Sequence, residues 1–275
     1  MQKIALHWTS LCSACVGGDI FQGEFMPNSE LSSNVEASKE RLKASLKRAQ
    51  ELSASRGGEI SDHSVDFLLS ALFVRICTTA RTISMMAPKN NSIESIWDYS
   101  SLGTLLRNIM DALNSFLYLA DRSLLREDKD CRFWLFSLHD AVTRQKIFEF
   151  RGAQNEAEAC KKRAEEMRVL LRNNATFLAL DEKKQKHYLK ATDAFLLSKE
   201  QIIEGNGGSR EDFLGLYKFL SANAHSYPLG FFKMSEQEFG KGVHSAIEES
   251  YTDMILSLTS SHLDSACIAY KNYLQ

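Results

Sequence analysis

The sequence predicts an all-α protein, a multi-helix bundle of about eight or nine helices, and three observations carry the class. Only three prolines, at 27, 88 and 228, interrupt the 275 residues, so long runs lack the residue that helix interiors tolerate least. Within those runs apolar residues recur three and four apart, the period of a helix with one face in a core. Runs that alternate apolar and polar residues, as half-buried strands do, are scarce. A hydrophobic content of 44% and a charged content of 25% are those of an ordinary globular chain. The length suits one large domain, or a core with a helical appendage.

Residues 1–28 hold Gly17, Gly18, Gly23 and Pro27 and read as an irregular arm, with Lys3–Trp8 as a short strand or packed extended segment. Cys12 and Cys15 form a C-x-x-C, half of a zinc site or a redox pair; no second pair follows, so simple packing is the reading. Glu30–Ser55 is a basic helix with the narrow apolar stripe Val35, Leu42, Leu46, Ala49 and Leu52. Its Lys39, Lys43, Lys47 and Arg48 are interleaved with Glu36, Glu40 and Glu51, as on a solvated face. Arg56-Gly57-Gly58 ends it. The boundary expected there separates 1–58, an arm and peripheral basic helix, from 59–275, a helical-bundle domain with a long C-terminal helix.

Ser61 is an N-cap for Asp62–Met86, apolar nearly all round and therefore expected to be the central buried helix. Arg75 and Arg81 on it need partners or an exit to solvent. After Pro88 and Asn90-Asn91 come a short helix, Ser92–Tyr99, and a longer one from Ser100 or Ser101 to about Ser123. Asp130–Phe150 and the charged Asn155–Asn174 follow, then Asp181–Leu197 and Lys199–Glu204. E-G-N-G-G-S is the clearest loop, after which Ser209 caps a helix that Pro228 stops. Ser235–Tyr273 is the final helix, with Val243, Ile247, Met254, Leu258 and Ala266 near helical spacing.

Several classes of function are disfavoured. A net charge of -2 gives no global basic signature for nucleic acid. No glycine-rich dinucleotide or phosphate loop, nucleophile elbow or H-E-x-x-H occurs, so neither a cofactor nor a metal is expected. His139-Asp140 and His187-Tyr188 read as surface or satisfied side chains. Six cysteines spread over the chain fit reduced thiols better than a disulfide framework. His7 interrupts the one faint signal-peptide pattern, and no run of about 18 apolar residues is read as a membrane span. A cytoplasmic protein with no membrane partner is expected.

The most unusual polar spacing lies in Y-K-F-L-S-A-N-A-H-S-Y-P, where Tyr217, Ser221 and His225 stack on one helix face, four apart. Partners for such a row are offered by L-L-R-N-I-M-D-A-L-N-S-F, which carries Arg107, Asn108, Asp111 and Asn114. Arg107 and Asp111 are placed to pair at i, i+4, and His225 beside Asp111 would have its ring oriented and its charged form favoured. The same set equally fits a buried network that fixes the register of two core helices.

With these stretches in view the chain resembles a bacterial helical family, domain of unknown function 5677. Its members look like this one in having a helix like Val65–Met86, an R-x-x-x-acid helix like Arg107–Asp111, and a Y-x-x-L-S-x-x-x-H stretch, here Tyr217, Leu220, Ser221 and His225. The likeness covers about residues 60–230. More broadly it is similar to HEPN-type helical domains, many of them RNases or partners in toxin–antitoxin and phage-defence systems. Those nucleases typically carry R-x(4–6)-H with a polar residue after the arginine. That motif is absent before His225; Arg132…His139 has the spacing with Phe133 at the polar position, and Arg56…His63 has it across Gly57-Gly58. The resemblance implies an RNase or RNase-derived effector acting on RNA without metal, and a homodimer. In it His225 is general acid or base, Arg107 and Asp111 complete the catalytic set with Arg107 on the phosphate, and Tyr217, Ser221 and Asn108 support them. The alternative is a non-catalytic helical interaction or regulatory module with a protein partner, in which the same residues are structural.

Overall fold

A computed structural model describes residues 34–58, 64–91, 94–225, 227 and 242–274; the N-terminal arm, Cys12 and Cys15, Ser61, His63 and Pro228, for which expectations are given above, lie outside them. The described residues form ten helices and no strand: α1 Val35–Ala54, α2 Ser64–Met86, α3 Tyr99–Leu119, α4 Arg126–Phe150, α5 Gln154–Arg172, α6 Ala175–Leu178, α7 Glu182–Tyr188, α8 Lys199–Gly205, α9 Arg210–Ala224 and α10 Ala246–Leu274. They belong to two compact units, one of residues up to Leu117 together with those from Lys199 onward, the other Tyr118–Ser198. Residues on both sides of 58 belong to the first unit. The supposedly peripheral α1 packs along α10 and against α2, and its stripe is core: Leu42 and Ala49 are fully buried.

In the first unit α10 is buried from Glu248 to Tyr270 along several faces. Its burial was hard to foresee because much of what it buries is polar: Thr252, Ser257, Thr259, Ser260 and His262. The helix itself satisfies part of this set. Thr259 Oγ1 donates to the Ile255 carbonyl at 2.7 Å, Ser260 Oγ to that of Leu256 at 3.0 Å, and His262 Nδ1 lies 2.7 Å from the Leu258 oxygen. Back-bonding to the preceding turn lets small polar side chains enter a core without orphaned hydroxyls. Tyr270 joins three helices, its ring stacked 4.6 Å from Phe73 of α2 and edge-on 5.9 Å from Phe116 of α3. Tyr251 does the same a few turns earlier, between Tyr99 of α3 and Phe219 of α9.

The expectation that α2 is buried all round is corrected. Leu69, Phe73, Ile76, Ala80 and Ile83 face α1 and α10, whereas Phe67, Val74, Met85 and Met86 are exposed and Leu72 is half-buried. Its neighbours α1 and α10 cover one side of the helix and leave the other exposed. Arg75 and Arg81 take the exit to solvent. By length and composition α2 is also long and apolar enough to cross a membrane.

The second unit is α4 laid along α5, closed by the short α6 and α7 around Cys131, Leu135, Leu138, Leu171 and Phe177. Asn174 caps α6, accepting from Phe177 N at 2.9 Å and donating Nδ2 to the Glu127 carbonyl at 2.9 Å. The helix expected over Asp181–Leu197 stops at Tyr188, and Ala191 beyond it adopts a φ of 58°, a left-handed turn that a helix cannot continue. The two ends of this unit are tied: Leu196 N donates to the Tyr118 hydroxyl at 3.1 Å, and Phe195 meets the Tyr118 ring edge-on at 4.9 Å.

Candidate functional site

The buried face of α3 is set by Leu102, Leu106, Ile109, Leu113 and Phe116, and Arg107 and Asp111 lie at its margin, half-buried. α9 is fixed by Ser209, whose hydroxyl accepts from Asp212 N at 3.2 Å, and by the buried Phe213, Leu216 and Leu220. Gly103 lets α3 approach both α9 and α10, since a Cβ there would stand 3.2 Å from Leu220 Cδ2 and 3.6 Å from Ile255 Cδ1. That close approach sets Tyr217 beside Arg107 and Asp111.

Arg107 and Asp111 form no ion pair with each other. Instead the Tyr217 hydroxyl accepts from Arg107 Nη2 at 3.1 Å and from Lys199 Nζ at 2.8 Å, and donates to Asp111 Oδ1 at 3.3 Å. Lys199 closes the set with a 2.5 Å ion pair to Asp111 Oδ1. Both cations also lie over the Tyr217 ring, the guanidinium carbon 5.0 Å and the ammonium 4.6 Å from its centroid, and Phe213 stacks on the ring at 5.5 Å. Burial works to lower the Lys199 pKa, but the hydrogen bonds and charge of Asp111 and Tyr217 outweigh it, so the ammonium is held above its ordinary value.

The other candidates are placed apart. His225 is the C-cap of α9, exposed, with its ring 5.5 Å from that of Tyr227 and no side-chain hydrogen bond to a described residue. Eight residues of helix rise about 12 Å, so the stacked row Tyr217–Ser221–His225 does not converge on Asp111, and the expected His225–Asp111 pairing is corrected. Ser221 Oγ donates to the Tyr217 carbonyl at 2.6 Å and so serves its own helix. Asn108 is exposed. Asn114, one turn past Asp111, is buried with neither amide atom hydrogen-bonded among the described residues. Arg132, the arginine of the alternative motif spacing, is occupied: Nη1 donates to the Tyr118 carbonyl at 2.6 Å and lies 3.6 Å from Asp121. His187 pairs with Asp193 at 2.5 Å on the surface. Among the described residues no group of three or more His, Cys, Asp and Glu is placed to hold a metal ion.

Lys199 is the member that sequence reasoning missed. One signal pointed to it: a lysine as the first residue of a helix opposes the positive end of the helix dipole, and such a position calls for a compensating anion. The order of charges on α3 was a second hint, since an acid preceding a base is the favoured i, i+4 arrangement and here the base comes first.

No curated protein and no solved structure matches the chain. A family model does, over residues 66–241, from α2 through the α3 and α9 segments that meet at Tyr217. The chain therefore belongs to the helical family of unknown function DUF5677.

Proposed function

We propose that the chain is a non-catalytic helical interaction or regulatory module, with Arg107, Asp111, Lys199 and Tyr217 cross-bracing α3, α8 and α9. The observation that carries this reading is the position of His225, exposed at the end of α9, while the carboxylate that was to orient it is taken by Lys199. A general acid or base must reach the reacting group together with the phosphate-holding arginine, and these two groups belong to different ends of the interface. The exposed apolar side of α2 suits a protein partner, and the cytoplasm is the compartment we assign.

A second reading, the HEPN-like RNase or RNase-derived effector of a bacterial toxin–antitoxin or phage-defence system, is favoured by one feature. The His225 ring is accessible and hydrogen-bonded to no described residue, as a proton-transfer group awaiting substrate is. One experiment separates the two: incubation of purified parent and His225→Ala with a generic RNA in chelator, beside a thermal scan of both. The module reading expects no cleavage by either protein and unchanged thermal midpoints. Cleavage by the parent that drops about 10²–10⁴-fold in His225→Ala, with the midpoint intact, overturns it.

A further inference from the structure

We infer that the Arg107–Lys199–Tyr217 cluster is an oxyanion-binding site for a phosphate group. The charge count is the first argument. Two cations and one carboxylate meet at a single phenol, and the carboxylate is bonded to Lys199, which leaves the guanidinium charge unmatched. Arg107 Nη2 and Lys199 Nζ bond the same hydroxyl oxygen, so they are no farther apart than those two bonds laid end to end. Like charges this close repel, and an anion between them relieves the repulsion.

Hydrogen-bond capacity is the second argument. The Tyr217 hydroxyl has two lone pairs and one proton, and all three are used. Arg107 has five N–H donors, and among the described residues Nη2 alone finds an acceptor. Its Nε is buried with none. A guanidinium so partly removed from water is poorly solvated, and an acceptor at its open Nη edge gains more than it would at a fully solvated arginine. Lys199 uses two of its three N–H groups and keeps one. A carboxylate has two oxygens in one plane and suits the arginine fork alone; a phosphate presents oxygens to both cations. With Lys199 and Asp111 each about a third exposed, the cluster is open to a solute.

The inference goes beyond the module reading and does not depend on His225. Its test uses the full chain, with inorganic phosphate at low millimolar concentration, below the range in which phosphate stabilises proteins by surface exclusion, and chloride at matched ionic strength. The expected result is a saturable rise in thermal midpoint with phosphate that chloride does not give. Arg107→Gln is expected to weaken the apparent affinity roughly tenfold or more, as loss of a charge-assisted contact does, while Arg81→Gln, exposed on α2, keeps it. No saturable response of the parent to phosphate overturns the proposal by itself, whether or not Arg107→Gln folds. An equal response to acetate overturns the phosphate assignment, and an unchanged affinity in a folded Arg107→Gln overturns the site. Cleavage of RNA by the parent would sink the module reading and leave this result standing.

Discussion

Lys199 shows how a side chain can be legible in its chemistry and illegible in its partner. The sequence marks Asp111 as a carboxylate in an apolar helix that needs a cation, and Arg107, four residues earlier, is the obvious supplier. The folded chain supplies Lys199 from a distant helix and leaves Arg107 on a tyrosine hydroxyl. Pairings across 88 residues follow from tertiary packing, which local spacing does not encode. His262 is the converse case, a histidine with no motif around it that the fold buries completely. Burial lowers its pKa from 6.5 to about 4, partly opposed by its hydrogen bond to the Leu258 carbonyl. Between those two values the unfolded chain binds a proton that the folded one refuses, so acidification favours unfolding. Stability should fall by up to about 3 kcal/mol as pH drops from 6.5 to 4. Chemical denaturation across that range should show His262→Leu with a flatter profile than the parent; parallel profiles would mean that the histidine takes up a proton inside the folded protein.

At the scale of elements, helix existence was legible almost everywhere and helix burial was not. The sequence placed helices at α1 to α5 and α8 to α10 among the described residues, and the Ser209 cap was readable from its side chain, whereas the short helix expected over Ser92–Tyr99 is not formed at 94–98. The two errors share a cause. α2 is rich in large apolar residues and was read as central, yet a full side of it faces solvent; α10 carries serine, threonine and histidine on its packed surfaces and was read as an ordinary last helix. Composition reports what a face can bury, whereas the neighbours decide which face is covered. Hydroxyls that bond their own helix escape the composition rule altogether. Gly103 is where such a neighbour relation is tightest. Its missing side chain admits Leu220 and Ile255, and a β-branched residue would need space those methyl groups occupy. Gly103→Val should cost about 1–3 kcal/mol by overpacking, despite the better helix propensity of valine over glycine. Since α3 would be pushed from α9, the same variant should loosen the Arg107–Tyr217 contact, which a drop in phosphate response beyond the stability loss would report.

At the scale of the whole molecule, the chain runs through one unit, makes a second, and returns to finish the first. This interruption was not legible, because the sequence around 117–118 and 198–199 has no glycine–proline linker and α3 continues to Leu119. Its consequence is an asymmetry in what each unit needs in order to fold. Residues Tyr118–Ser198 are contiguous; their core is made between α4, α5, α6 and α7, neighbours in sequence, and the Leu196–Tyr118 hydrogen bond holds the ends together. The interrupted unit has no such self-sufficiency: α1 and α2 bury their apolar stripes against α10, some 160 residues farther on. The fragment Tyr118–Ser198 expressed alone should therefore be helical, with a cooperative thermal transition, whereas residues 34–117 alone should lack one. Circular dichroism with a thermal scan on the two fragments decides it. A cooperative 34–117 fragment would show that α1 and α2 form a core without α10. An unfolded Tyr118–Ser198 fragment would show that the inserted helices draw their stability from the rest of the chain, and that the tie at Tyr118 is a result of folding and not one of its supports.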